Sequence, residues 1–171
     1  MPGDVTFCVS EISRREHEEA VKASSGSEPR EVVVHGSATG FAQEIAIGGH
    51  RLVADEPAAV GGTDTGPGPY DFLLAALGSC TSMTVALYAR RKQWPLESVQ
   101  VRLRRAKVHA ADCEDCETKA GMLDRIECEV ELVGRLDAEQ RARLLDIAKK
   151  CPVHRTLTSA VTVATRLGDD V

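Results

Sequence analysis

With 171 residues, 43% of them hydrophobic and 27% charged, the chain is long enough to bury a core and has an ordinary globular composition. A net charge of -5 argues against a nucleic-acid surface, which would be basic, and 4% aromatics leave little with which to stack bases or sugars. No basic-then-apolar leader opens the sequence, so a cytoplasmic protein is expected, in which any disulfide among the six cysteines would be transient and chemical.

Residues 1–29 are weakly patterned and read as an extension, with a polar helix over Glu11–Ala23, a Ser/Gly linker after it and an incidental thiol at Cys8. One domain is expected over residues 30–171. A β run begins at Glu31–Val34. Glu44–Ile47 and His50–Val53, joined by Gly48-Gly49, predict a hairpin. The following loop, ADEPAAVGGTDTGPGPYD, is rich in Gly, Pro and Asp, and its length suits either the lining of a site or a wrap at a subunit contact.

Pro67 and Pro69 then lead into a long helix that runs to Arg91. Leu73, Ala76, Leu77, Cys80, Thr84 and Leu87 share one face at helical spacing. The opposite face (Leu74, Met83, Val85, Tyr88) is apolar too, so the helix is expected to be wrapped nearly all round. Phe72–Ala89 is an uncharged run of 18 residues, the minimum for a membrane span. Its centre, Gly78 to Ser82 and Thr84, is too polar and small for that, and a core helix with no membrane partner is the better reading. Cys80, halfway along, is then either a small buried hydrophobe or a reactive thiol.

Val99, Val101 and Leu103 alternate with Gln100, Arg102 and Arg104, and Ile126, Cys128, Val130 and Leu132 alternate with three glutamates. Both are half-buried strands with opposite outer charge, as suits antiparallel neighbours, and Cys128 falls on the apolar side as a core residue. Between them, Cys113 and Cys116 form a C-x-x-C with His109 four residues earlier. These are suitable zinc ligands, but a structural zinc needs four and no second C-x-x-C is present; a redox pair and idle thiols are the other readings. Asp137 and Gln140 predict a capping box for a helix over Arg141–Lys150. Cys151 continues its apolar face, and Pro152 makes Cys151 the cap of a short helix, PVHRTL, whose positive end favours charge on that sulfur. Ser159–Leu167 reads as a closing strand.

Cys80 and Cys151, each on the apolar stripe of its helix, could meet in one core. A thiol that attacks a peroxide and a second that condenses with the resulting sulfenic acid need that arrangement. The stretches GPGPYDFLLAALGSCTSMTV and KKCPVHRTL resemble those of the OsmC/Ohr family of peroxide-detoxifying proteins, and the similarity covers roughly Val32–Leu167. It implies an α+β fold of two long helices packed with curved antiparallel sheets, built as an intertwined homodimer with sites at the interface. It further implies Cys80 as the peroxidatic and Cys151 as the resolving cysteine, organic hydroperoxides as substrates, and a dithiol or lipoylated protein as reductant. No metal or flavin cofactor is implied. The chain departs from the family where an Arg and a Glu activate the first cysteine: Asp71 is the only acid in the Glu-bearing stretch and Arg51 the nearest replacement cation. A non-catalytic binding protein for a small apolar or electrophilic ligand is therefore the alternative.

Overall fold

The computed structural model describes residues 31–109 and 122–168, which divide between Gly68 and Pro69 into two compact units. The extension, Cys8, Cys113 and Cys116 lie outside the described residues.

In the first unit β1 (Val32–Gly36), β2 (Gln43–Ile47) and β3 (His50–Ala54) form an antiparallel sheet in the order β1-β2-β3. The predicted hairpin is β2–β3, where Ile47 pairs with His50 and Gly48 takes a φ of 56° in the two-residue turn, a conformation glycine adopts without a Cβ clash. Val32, Val33 and Val34 are each more than half exposed, on both faces of β1. The Gly/Pro/Asp loop is knotted around Asp55, which is buried. Its carboxylate accepts hydrogen bonds from Glu56 N at 2.8 Å, Thr63 N at 2.9 Å, Thr63 Oγ1 at 2.6 Å, Thr65 N at 3.1 Å and Thr65 Oγ1 at 2.9 Å. The Thr63 hydroxyl most of all, and then the backbone N–H groups, hold this carboxyl far below the usual carboxylate range, against the opposing effect of burial. The loop is ordered by one acid, a role the composition did not reveal.

The second unit opens with α1 (Pro69–Arg91), followed by the hairpin of β4 (Leu96–His109) and β5 (Met122–Gly134), then α2 (Ala138–Ala148) and α3 (Pro152–Leu157). The charge reading of the hairpin holds: Arg102 opposes Glu129 and reaches Glu131 at 3.1 Å. The capping box also forms, with Gln140 N donating to Asp137 Oδ1 at 2.7 Å and Asp137 N to Gln140 Oε1 at 3.2 Å. Val85 and Ala89 of α1 join Leu136, Leu144 and Ala148 in the core, with Trp94, Val99, Val130 and Leu132 packed around them.

Three expectations are corrected. Among the described residues only α1 is a long helix, at 23 residues; α2 has 11 and α3 has 6, because Pro152 forces the chain to restart. The buried residues of α1 are Leu77, Gly78, Thr81, Val85 and Ala89, so one stripe is covered, while Met83 is 70% exposed. With every face apolar or small, periodicity could not choose the stripe. Ser159–Leu167 runs without a ladder, its Val161, Val163 and Leu167 exposed, since a strand exists only where another strand takes its hydrogen bonds. By length and composition alone α1 could cross a membrane; here its stripe packs against β4 and α2.

Candidate functional site

The site is built where α3 begins beneath α1. Cys151 caps α3 in extended conformation (φ -62°, ψ 145°), and Pro152 at the first helical position has no N–H to offer. The first two N–H groups of the turn are therefore those of Val153 and His154. His154 N donates to Cys151 Sγ at 3.3 Å, and the Val153 N–H favours the charged form of the Cys80 sulfur. The Cys151 sulfur lies near enough to Cys80 to raise the pKa of its thiol. The expected pair is thus brought together, both sulfurs sharing one helix end whose partial positive charge suits an anionic sulfur.

Cys151 is completely buried, with Thr81 Oγ1 3.4 Å from its sulfur. Cys80 is partly buried, on the border between the covered stripe of α1 and its open face. Thr84, one turn on, donates to the Cys80 carbonyl at 2.7 Å and lies beside its thiol. Burial pushes the Cys80 thiol up and is the largest effect on it; the Val153 N–H pulls the other way, the Cys151 sulfur pushes up again, and Thr84 pulls down. The net direction is upward, so Cys80 is held as a thiol at neutral pH in the reduced protein.

Asp71 sits in the first turn of α1 and lines a groove of about 410 Å³ with Leu74, Gly78, Ser79, Val101 and Leu103. Nine residues at about 100° each set it half a turn around α1 from Cys80, so the groove does not open onto the sulfurs. Arg51 is an exposed residue of β3, opposite Ala46. His109 ends β4 in an exposed position, and among the described residues no three His, Cys, Asp or Glu side chains converge to hold a metal ion. Cys128, expected in the core, is exposed, although Ile126 and Val130 on either side of it along the same face are half-buried. Sequence reasoning missed Thr81 as a partner of Cys151. It also missed the His154 N–H that returns to Cys151 Sγ, for which Pro152 was the available signal.

Chemically, two neighbouring thiols at a helix end can form a disulfide, and the partly open one can meet a small electrophile first.

The sequence matches the family described as OsmC-like protein over residues 62–166. Among solved structures, an OsmC-like protein from Mycoplasma pneumoniae superposes with a TM-score of 0.60 at 19% identity, over 77% of this chain and 88% of that one. An organic hydroperoxide resistance protein OsmC from Legionella pneumophila does so at 0.57 and 16%, over 77% and 90%. The organic hydroperoxide resistance protein OhrB of Bacillus subtilis gives 0.54 and 18%, over 77% and 91%. A comparison with curated protein sequences gives no significant match. The fold is the mixed α+β arrangement of these structures, and with more than half of its length matched, the chain belongs to the OsmC-like protein family.

Proposed function

We propose that this protein reduces organic hydroperoxides through Cys80 and Cys151. The Cys80 thiolate attacks the peroxide O–O bond, releasing the alcohol and leaving a sulfenic acid. The Cys151 thiol condenses with it, water leaves, and the Cys80–Cys151 disulfide stores the two electrons' worth of oxidation. A dithiol, free or as a lipoylated protein, restores both thiols. The observation that carries this assignment is the approach of the two thiols at the start of α3, where His154 N donates to Cys151 Sγ at 3.3 Å and the Cys151 sulfur acts on the Cys80 thiol. The names of the Legionella pneumophila and Bacillus subtilis neighbours support the substrate class. The Val153 N–H and Thr84 work against the upward push of burial on Cys80, and Arg51, oriented by Asp71, lowers the thiol further where a second copy brings them to the sulfur.

A homodimer belongs to the same proposal. The exposed valines of β1, the open Met83–Leu87 side of α1 and the unladdered Val161–Leu167 segment form more apolar surface than a monomer leaves bare without reason. The setting is the cytoplasm, where thiol reductants are available.

Reduced protein mixed with an organic hydroperoxide should consume it rapidly and stoichiometrically, hydrogen peroxide more slowly, and Cys80→Ser should consume neither. A second reading, a non-catalytic protein that binds a small apolar ligand beside Cys80, is favoured by the upward push of burial on that thiol. It predicts ligand binding with no peroxide consumed by either protein.

A further inference from the structure

The chain carries a net charge of -5, yet the seam between α1 and α2 gathers cations around Tyr88. Arg143 Nε donates to the Tyr88 hydroxyl at 3.2 Å, and its guanidinium stands 5.7 Å from the ring centroid. Lys92 Nζ is 6.0 Å from the same centroid, and Trp94 braces the ring edge-on at 5.6 Å. Two positive side chains are thus held at one ring. Asp146, three residues beyond Arg143, is the weakest influence on that guanidinium, behind the Tyr88 hydroxyl, and makes no ion pair with it. None of Arg90, Arg91, Lys92, Arg143 and Lys150 makes an ion pair with a described carboxylate.

This cluster belongs to the same seam as the thiols. Tyr88 meets Arg143 and Thr81 meets Cys151, so α1 and the α2–α3 segment run past one another in opposite directions. Arg143 and Ile147 share a face of α2, and Lys150 follows in its closing turn, where its N–H goes to the Ile147 carbonyl at 2.9 Å. Lys150 is exposed and immediately precedes Cys151. On α1 the step from Cys80 to Tyr88 is a little over two turns, about 12 Å along the axis. The cations therefore flank the partly open Cys80 at a reach that a dithiol on a flexible arm spans from a docked partner. They lie on the α2 side of α1, about 100° around the helix from Leu87 and the open side assigned above to the homodimer.

We propose that this seam docks an acidic protein that carries the dithiol reductant. The proposal rests on the hydroperoxide reading above and names the partner of its reductive half. A chain of net negative charge repels an acidic partner over most of its surface, so the unneutralised cations select both the encounter and its orientation. One thiolate of the carrier attacks Cys80 Sγ, the sulfur of the pair that solvent reaches; a bond forms between them and the Cys80–Cys151 bond breaks. The electron pair of the broken bond leaves on Cys151 Sγ, which accepts the His154 N–H. The carrier's second thiolate then displaces Cys80. The carrier ends as a disulfide, oxidised by two electrons, and both cysteines end as thiols on the two protons it gave up.

The test compares synthetic peptides of equal length that carry dihydrolipoyl-lysine among glutamates, among serines or among lysines. Each is timed as it reduces the oxidised protein, with neutral dihydrolipoamide as a further donor, for wild type, the double variant Lys92→Gln/Arg143→Gln and Lys150→Glu. The docking seam predicts that the glutamate peptide outpaces the serine peptide by about tenfold or more at low ionic strength, and that the lysine peptide is the slowest. This advantage should vanish at about 0.5 M salt and fall several-fold in both variants, while dihydrolipoamide reduces wild type and the double variant at one rate. Equal rates for all the peptides, or an advantage that salt and both variants leave untouched, overturn the proposal while the peroxidase stands. An oligonucleotide of matched charge that binds as tightly as the glutamate peptide also overturns it, since the seam would then select charge and not a protein. If no hydroperoxide is consumed and no Cys80–Cys151 link forms, the peroxidase reading falls. Fluorescence anisotropy of labelled glutamate and serine peptides on the reduced protein then decides the seam by itself, tighter binding of the glutamate peptide upholding the acidic partner and equal binding overturning it.

Discussion

Thr81 Oγ1 and Cys151 Sγ lie 3.4 Å apart in the buried interior, although 70 residues separate them in sequence. Thr81 is the neighbour of Cys80, so a single hydroxyl ties the start of α3 to the middle of α1 and fixes the distance between the two thiols. Thr81→Val keeps the shape and removes the bond. It should cost about 1 kcal/mol in denaturant unfolding and slow disulfide formation several-fold, with Thr81→Ser restoring both. Equal rates for the Val and Ser variants would remove the hydroxyl from the account.

The Cys80 thiol is pushed above the ordinary thiol range, mainly by burial. The reactive thiolate is then a minor species at neutral pH, and its fraction rises about tenfold per pH unit below the pKa. The rate of the first reaction with hydroperoxide should accordingly climb with a slope near one in log rate from about pH 6 to 8. Stopped-flow measurements that show a plateau below about pH 7 would mean that a cation not acting within one chain lowers this thiol.

Asp55 is the opposite case, a carboxyl held far below its usual range by the Thr63 hydroxyl and by backbone N–H groups. A depressed folded-state pKa contributes stability that is complete above the unfolded value of about 4 and is lost as pH falls from there through the folded value. Asp55→Asn should therefore lower Tm at pH 7 and speed proteolytic cutting within residues 56–66, and the Tm difference from wild type should shrink at about pH 3. A difference independent of pH would contradict the assignment.

Val161, Val163 and Leu167 are 60%, 81% and 92% exposed on a segment with strand alternation and no ladder. Sedimentation should find two chains per particle, and Val163→Lys should weaken their association by about tenfold or more, since a charge would be buried without a partner. A monomeric wild type at micromolar concentration would leave these residues unexplained.

How much was legible in the sequence follows from how local each feature is. The β2–β3 turn, the capping box at Asp137 and Gln140, and the Arg102–Glu131 pairing depend on neighbours in sequence or on a period of two, and all are present. The helix start at Pro152 was equally local, and it placed Cys151 at the end of a helix. The buried stripe of α1 was not legible, because Leu73, Leu77, Val85 and Leu87 are equally apolar and only β4 and α2 decide among them. Cys128 is exposed for a related reason: alternation tells which face a residue takes, not how deeply each position on that face is covered. Asp55 looked like a loop acid, and only the return of Thr63 and Thr65 makes it the centre of a fold.

The most direct measurement is disulfide mapping after one equivalent of an organic hydroperoxide, comparing wild type with Cys80→Ser within the first turnover. The geometry of the α3 turn predicts a Cys80–Cys151 link in wild type and its absence in the variant. A Cys80 that stays fully alkylatable while the peroxide persists would contradict it, and the chain would be an OsmC-like fold used for binding.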